Sequence, residues 1–178
     1  MYNEVANDLN KSTTLFDRVL KPRLKEVMGG HFKVVEGITI NEHAKKLDRF
    51  AGIDLWHIDE EKGIIRGVAS RIQFSDTNWG TFTVRKERDS GTKTEYEKRK
   101  YAIEEGALYP SHTLQAYISD DEEIVSFAIA KTEDIIEMID IEHCDVKHTG
   151  NDQKGQASFY VVKWQDMRDN NYPIYIES

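Results

Sequence analysis

Asp54, Arg71 and Gln73 are the residues whose types and spacing most invite chemistry. Asp54 stands inside the apolar run "GIDLWHI", and a charged turn, Asp59-Glu60-Glu61-Lys62-Gly63, follows it. The next apolar run, "IIRGVASRIQF", carries Arg71 and Gln73. Two such runs around so short a turn predict a β-hairpin. Strand alternation puts Asp54 with Trp56 on one face and Ile53 with Leu55 on the other. Ala69, Arg71 and Gln73 share a face of the second run, opposite Val68, Ser70, Ile72 and Phe74. The hairpin therefore brings Asp54 beside Arg71 or Gln73. A carboxylate next to a guanidinium and an amide is equipment for cutting or holding a ligand, and equally the composition of a plain structural ion pair.

A second constellation is "FTVRKERDSGTKTEYEKRKYAI". Arg85, Lys86 and Arg88 run off a strand, and Lys93, Lys98, Arg99 and Lys100 continue into a helix with Tyr96 and Tyr101 interleaved. The densest cationic stretch in an acidic chain suits phosphate binding. It also suits a solvated helix laced with local pairs to Glu95, Glu97 and Glu104. "EHCDVKH" places His143, Cys144 and His148 together, but a zinc site needs four ligands and no second Cys/His cluster accompanies it. His57 and His112 are isolated. No glycine-rich phosphate loop is present.

The elements that must position these residues can be read along the chain. "STTLFDRVLKPRLKEVMGG" predicts a first helix, capped by Ser12 or Thr13, stopped by Gly29-Gly30 and open to a kink at Pro22. Leu15, Phe16, Val19, Leu24 and Val27 fall on one side of it; Arg23 projects into that side and Glu26 borders it. "HFKVVEG" is a short strand, the hairpin follows, and "GTFTVR" is a further strand. A helix from about Thr92 to Glu105 is built on Tyr96, Tyr101 and Ile103, and Gly106 ends it. "SHTLQAYIS" and "EIVSFAIAK" read as strands about the acidic turn Asp120–Glu122. "TEDIIEMID" reads as a short helix capped by Thr132, and "SFYVVKW" as a late strand after the loop "TGNDQKGQ". One domain, 1–178, with mixed α/β layers is the expected class.

Composition bounds the rest. The chain has 178 residues, a formal net charge of −8 and a single cysteine. That excludes an internal disulfide and points to a reducing compartment, so a cytoplasmic location is expected. No run approaches the ~18 apolar residues of a membrane helix, and the polar start "MYNEVANDLNKS" is unlike a secretory signal. The acidic balance argues against a cation-coated protein, while leaving room for a local basic groove.

The order of elements resembles the PD-(D/E)XK nuclease superfamily: a helix with an acid, a strand, "GID" on a strand, a strand with alternating polar residues, then a basic helix and a strand. The resemblance covers roughly Leu15 to Ser119. It implies an αβββαβ core, a mixed central sheet flanked by helices in the manner of restriction endonucleases. It matches Asp54 to the metal-binding Asp of the first motif half, and Glu26 to an additional helix carboxylate. The second half departs, offering Ala69-Ser70-Arg71 or Arg71-Ile72-Gln73 where acid-x-Lys belongs. Arg71 would hold a phosphate through its fork of N–H groups, but is too basic to serve as a base. Gln73 would orient water or lend a carbonyl to a hard cation. The implied activity is a Mg²⁺- or Mn²⁺-dependent phosphodiesterase acting on DNA, or on RNA, with Asp54, Glu26 and Asp48 assembling the metal. Arg85, Lys86, Arg88, Lys93 and Arg99 would contact the nucleic acid. The alternative keeps the fold without the chemistry: a degenerate domain binding nucleic acid or a protein partner, itself included, such as a viral antagonist of a host system.

Overall fold

The computed structural model describes residues 14–35, 51–87, 93–149 and 157–178. The Ser12 and Thr13 caps, Asp48, Arg88, Thr92 and most of the loop "TGNDQKGQ" lie outside them. The architecture is mixed α/β, with a six-stranded mixed sheet flanked by helices. A π-helical turn, Phe16–Leu20, continues without a break into α1 (Lys21–Met28), and this widened turn, closed by the Lys21 N–H on Phe16 O, precedes Pro22, which has no N–H to give to the ladder. Gly29, at φ 72°, ends α1. The strands are β1 (His31–Val34), β2 (Leu55–Asp59), β3 (Ile64–Phe74), β4 (Thr81–Glu87), β5 (His112–Ile118), β6 (Ile124–Lys131), β7 (Asp145–Thr149), β8 (Ala157–Lys163) and β9 (Ile174–Glu177). The remaining helices are α2 (Glu95–Glu104), α3 (Thr132–Asp140) and α4 (Trp164–Asp169).

The large sheet runs β1-β2-β3-β5-β6-β9, and a small sheet runs β4-β8-β7. Only the β3–β5 pair of the large sheet is parallel; β2 and β3 form the antiparallel hairpin its short turn demands. Each face of the large sheet builds its own core. On one face Leu20 and Leu24 pack against Phe32, Leu55, Val68, Leu114 and Phe127. On the other, Tyr117, Ala128 and Ala130 meet Phe82, Val84 and Val162 of the small sheet and Ile135 and Met138 of α3. Ala69, Arg71 and Gln73 belong to this second face, in register with Thr113, Gln115 and Tyr117 of β5.

Several local expectations are corrected. Thr132 does not cap α3: Lys131 holds the cap position without a side-chain bond, and the buried Thr132 hydroxyl pairs with Thr113 at 3.0 Å. Arg23 points to solvent and pairs with Glu26 and with Glu177 of β9, because a guanidinium at that helix position reaches a carboxylate more cheaply than it enters the core. Ile53 does not alternate with Trp56. The backbone has left the strand by residues 52–54, and Ile53 packs with Val35 against Trp56. Tyr101 is exposed on α2 beneath the Lys93 ammonium, 4.4 Å from its ring centre. Tyr96 does pack, 5.0 Å from Tyr160. No helix of the described residues is long and apolar enough to cross a membrane.

Gly30 and His112 mark two points at which this packing is tightly constrained. Gly30 sits at φ 63°, and a Cβ there would lie 2.4 Å from the Ile58 carbonyl oxygen; Gly63, at φ 64°, has nothing within 4 Å. Both Gly→Ala variants meet about 1–2 kcal/mol of left-handed backbone strain. Chemical denaturation will therefore show Gly30→Ala as clearly the more destabilising, the difference measuring the clash. His112 is the second case. Burial first, then the Arg66 charge, pull its pKa down to about 4 from an ordinary 6.5, and its Nε2 lies 3.4 Å from Arg66 Nη1. The unfolded chain then binds the extra proton as pH falls from 6.5 towards 4, so stability declines through that window. His112→Gln will flatten the decline in denaturation midpoint.

Candidate functional site

The site is built on Glu95. The capping box of α2 fixes where the helix begins: Thr94 N–H donates to Glu97 Oε2 at 2.7 Å, and Glu97 N–H donates to Thr94 Oγ1 at 3.3 Å. That start places Glu95 in the first turn, where backbone N–H groups favour a negative charge. One helical turn later Arg99 is 4% exposed, and its Nη2 lies 2.6 Å from Glu95 Oε1. Across the cleft, Arg71 Nη2 donates to Glu95 Oε2 at 3.1 Å, while Arg71 Nη1 donates to Thr83 Oγ1 at 2.9 Å. The Arg85 backbone N–H donates to Glu95 Oε2 at 3.0 Å. Burial alone would raise the Glu95 carboxyl. The charges of Arg99 and Arg71, with the Arg85 N–H and charge, outweigh it and hold the pKa below its ordinary value.

Around this centre lies a cleft of about 280 Å³. Arg71, Arg85, Lys93, Lys98 and Arg99 line it, with Asp54 and Glu95 as the two carboxylates and Ser70, Thr83 and Thr113 as polar neighbours. Five cations against two acids leave a positive hollow in a chain of net charge −8. Arg99 Nε and Nη1 are buried with no hydrogen-bond partner among the described residues. An unmatched buried donor costs about 1–3 kcal/mol, and an anion entering the cleft would offset it.

Asp54 and Arg71 do line the same cleft, and Asp54 also holds the sheet together. Its N–H donates to Val68 O at 3.1 Å, its carbonyl accepts from Val35 N at 2.8 Å, and its Oδ2 accepts from the Ser70 N–H at 2.6 Å. The carboxylate replaces a backbone carbonyl where β2 stops and β3 runs on. Gln73 lies on the same face as Arg71, in an adjoining cleft that shares Arg71 and Thr83. Glu26 is not brought to Asp54. It is exposed on α1, which packs on the opposite face of the sheet, and it pairs with Arg23.

The cationic stretch is divided. Arg85, Lys93 and Arg99 enter the cleft, joined by Lys98. Lys86 does not: the register shifts between Arg85 and Glu87, and Lys86 sits over the Tyr160 ring at 5.5 Å. Lys100 pairs with Asp140 of α3 at 2.9 Å. Cys144 is half-buried, and burial with Asp145 and Glu142 pushes its thiol up, the wrong direction for a nucleophile. Glu95 is the residue that sequence reasoning missed as a site member.

Comparison with protein-family models, with characterised proteins and with solved structures finds no match to this chain. The site must therefore be judged on its own donors. Among the described residues no three His, Cys, Asp or Glu side chains converge as a metal-ligand set. Asp54 is bonded to the Ser70 N–H, Glu95 is engaged by arginines, and Glu26 is remote. A divalent cation wants several oxygen ligands, and these residues do not fit one.

Glu95→Gln is expected to cost about 3–5 kcal/mol, because it leaves the buried Arg99 charge uncompensated. The Glu95→Met/Arg99→Met double variant should recover much of the loss in urea unfolding. Acid titration supplies a second readout. Glu95 stabilises the fold above its ordinary 4.5, and that contribution is lost as pH falls through the lower folded value; in Glu95→Gln this component will be missing.

Proposed function

We propose that this chain binds nucleic acid, DNA or RNA, through backbone phosphates received in the cationic cleft. The carrying observation is the convergence of Arg71 from β3, Arg85 from β4 and Lys93, Lys98 and Arg99 from the α2 region on one hollow. A low-dielectric cleft lined by one sign of charge focuses field lines and draws anions to it even when the whole protein is acidic. Planar guanidinium forks suit phosphate oxygens, and Glu95 keeps two of those forks pre-positioned.

The resemblance in element order to PD-(D/E)XK nucleases is kept in this proposal, with β4 as an additional strand in the small sheet, and in that resemblance Asp54, which lines the cleft, would stand for their metal-binding Asp. The donor set around it favours holding over cutting. In this reading the second acid of the nuclease motif is replaced by Arg71, and the second cleft carboxylate, Glu95, serves as a counterion. A divalent cation is therefore not part of the proposed binding reaction.

The test is a salt series of fluorescence-anisotropy titrations with single-stranded and duplex DNA and RNA. Lys93→Gln/Lys98→Gln should weaken binding and lower the log–log salt slope by about 1.5, since each lost phosphate contact removes about 0.7–0.9. An unchanged slope overturns the proposal. A parallel incubation with Mg²⁺ or Mn²⁺ should leave the substrate intact. Cleavage that disappears in Asp54→Asn, a variant that keeps an acceptor for the Ser70 N–H, would instead favour the phosphodiesterase.

A further inference from the structure

The adjoining cleft, about 410 Å³, has a different character. It opens between the two sheets: Arg71 and Gln73 of β3 form one wall, and Phe159 and Val161 of β8 form the other. Trp79, on the loop entering β4, and Lys147 of β7 complete it. Register explains the assembly, since Arg85, Phe159 and Lys147 are paired across the small sheet and so share one face. The guanidiniums of Arg71 and Arg85 each lie 5.3 Å from the Phe159 ring centre, and the Lys147 ammonium lies 5.2 Å from that of Trp79.

Trp79 is 53% exposed, yet it is held. Its Nε1–H donates to Ser75 Oγ at 3.2 Å, the Thr77 N–H donates to the same oxygen at 3.0 Å, and the Gly80 N–H donates to Asn78 Oδ1 at 3.0 Å. The loop thus engages the indole N–H and presents the ring itself as the contact surface. Phosphate affinity does not require aromatic walls beside it. A heteroaromatic ring attached to a phosphate does, because any base can stack on an aromatic or guanidinium plane.

We propose that this second cleft is a nucleobase subsite. A single strand whose phosphate rests at Arg71 places one unstacked base against Trp79 and Phe159, and the Gln73 amide faces its polar edge. This rests on the phosphate-binding reading above and narrows it to single-stranded substrate. The bases of an intact duplex are already stacked and offer no free face to such walls.

The experiment compares three ligands on the full chain: an oligothymidylate single strand, an abasic phosphodiester of equal length, and a duplex. The wild-type protein will bind the base-bearing strand about tenfold or more tightly than the abasic one, the effect of a single base–aromatic stack. Tryptophan emission will be quenched by the base-bearing strand only. Trp79→Ala will remove both the affinity gap and the quenching while leaving abasic binding unchanged. Trp79→Phe, which keeps a stackable ring, will retain the gap. Lys93→Gln/Lys98→Gln will weaken both strands by the same factor. Equal wild-type affinity for the two strands overturns the base subsite and leaves the phosphate reading standing. A gap that survives Trp79→Ala overturns the assignment to this cleft. Binding of neither strand overturns both readings.

Discussion

Glu95 is the charge on which the arrangement of this cleft depends. Arg99 is almost fully buried, and a guanidinium in that position is tolerated only with an anion beside it. Glu95 meets it through Oε1 and reaches Arg71 and the Arg85 N–H through Oε2. One carboxylate thereby ties helix α2 to strands of both sheets. Remove it and the helix loses its electrostatic anchor, while three arginines repel one another across the hollow. The same pairing leaves a surplus of positive charge facing solvent, since one acid cannot neutralise the several cations around it. The stability of the cleft and its positive character arise here from a single imbalance.

The sheet supplies the geometry that makes this pairing possible. Parallel pairing of β3 with β5 requires a crossover, and this chain runs it through β4 and α2. The crossover delivers Arg85 and Glu95 over the face that displays Arg71. Thr83 bridges the layers, accepting from Arg71 at 2.9 Å and donating to Gln115 Oε1 at 3.2 Å. Tyr117 fixes the neighbouring position by its contact with Thr81 at 2.9 Å. With both sheets pinned by these polar links, the opening between Gln73 and Phe159 has defined walls.

Local signals made much of this legible in the sequence. The hairpin from β2 to β3 follows from two apolar runs about a charged turn, and the end of α1 from a glycine pair. β5, β6 and α3 fall where their periodicities place them, and the face shared by Ala69, Arg71 and Gln73 follows from alternation. Long-range partners were not legible. Glu95 sits among lysines and arginines at i+3 to i+5, the pattern of a solvated helix, and only tertiary contact shows that Arg71 lies against it. Thr132 stands at a cap-like position, but Thr113 claims its hydroxyl. β7, α4 and β9 were not anticipated because each is short and owes its definition to a neighbouring strand or helix. Glu26 satisfied the order of a motif without lying on the correct face of the sheet.

Asp54 shows why element order and chemistry must be argued separately. An acid at the end of β2 is what a metal-dependent phosphodiesterase would need, and it is also what this sheet needs. The Ser70 N–H lies just beyond the last β2–β3 pair, Leu55 with Val68, and a carboxylate reaches it where the departing backbone does not. A charge-assisted hydrogen bond of that kind is stronger than its neutral counterpart. The residue therefore has a structural reason to be acidic that is independent of any metal. Arg71, on the neighbouring strand, has its fork bound on one side by Thr83 and on the other by Glu95. An acid whose place the sheet itself explains, beside a guanidinium tied to Thr83 and Glu95, gives a cleft whose charges are positioned by the fold.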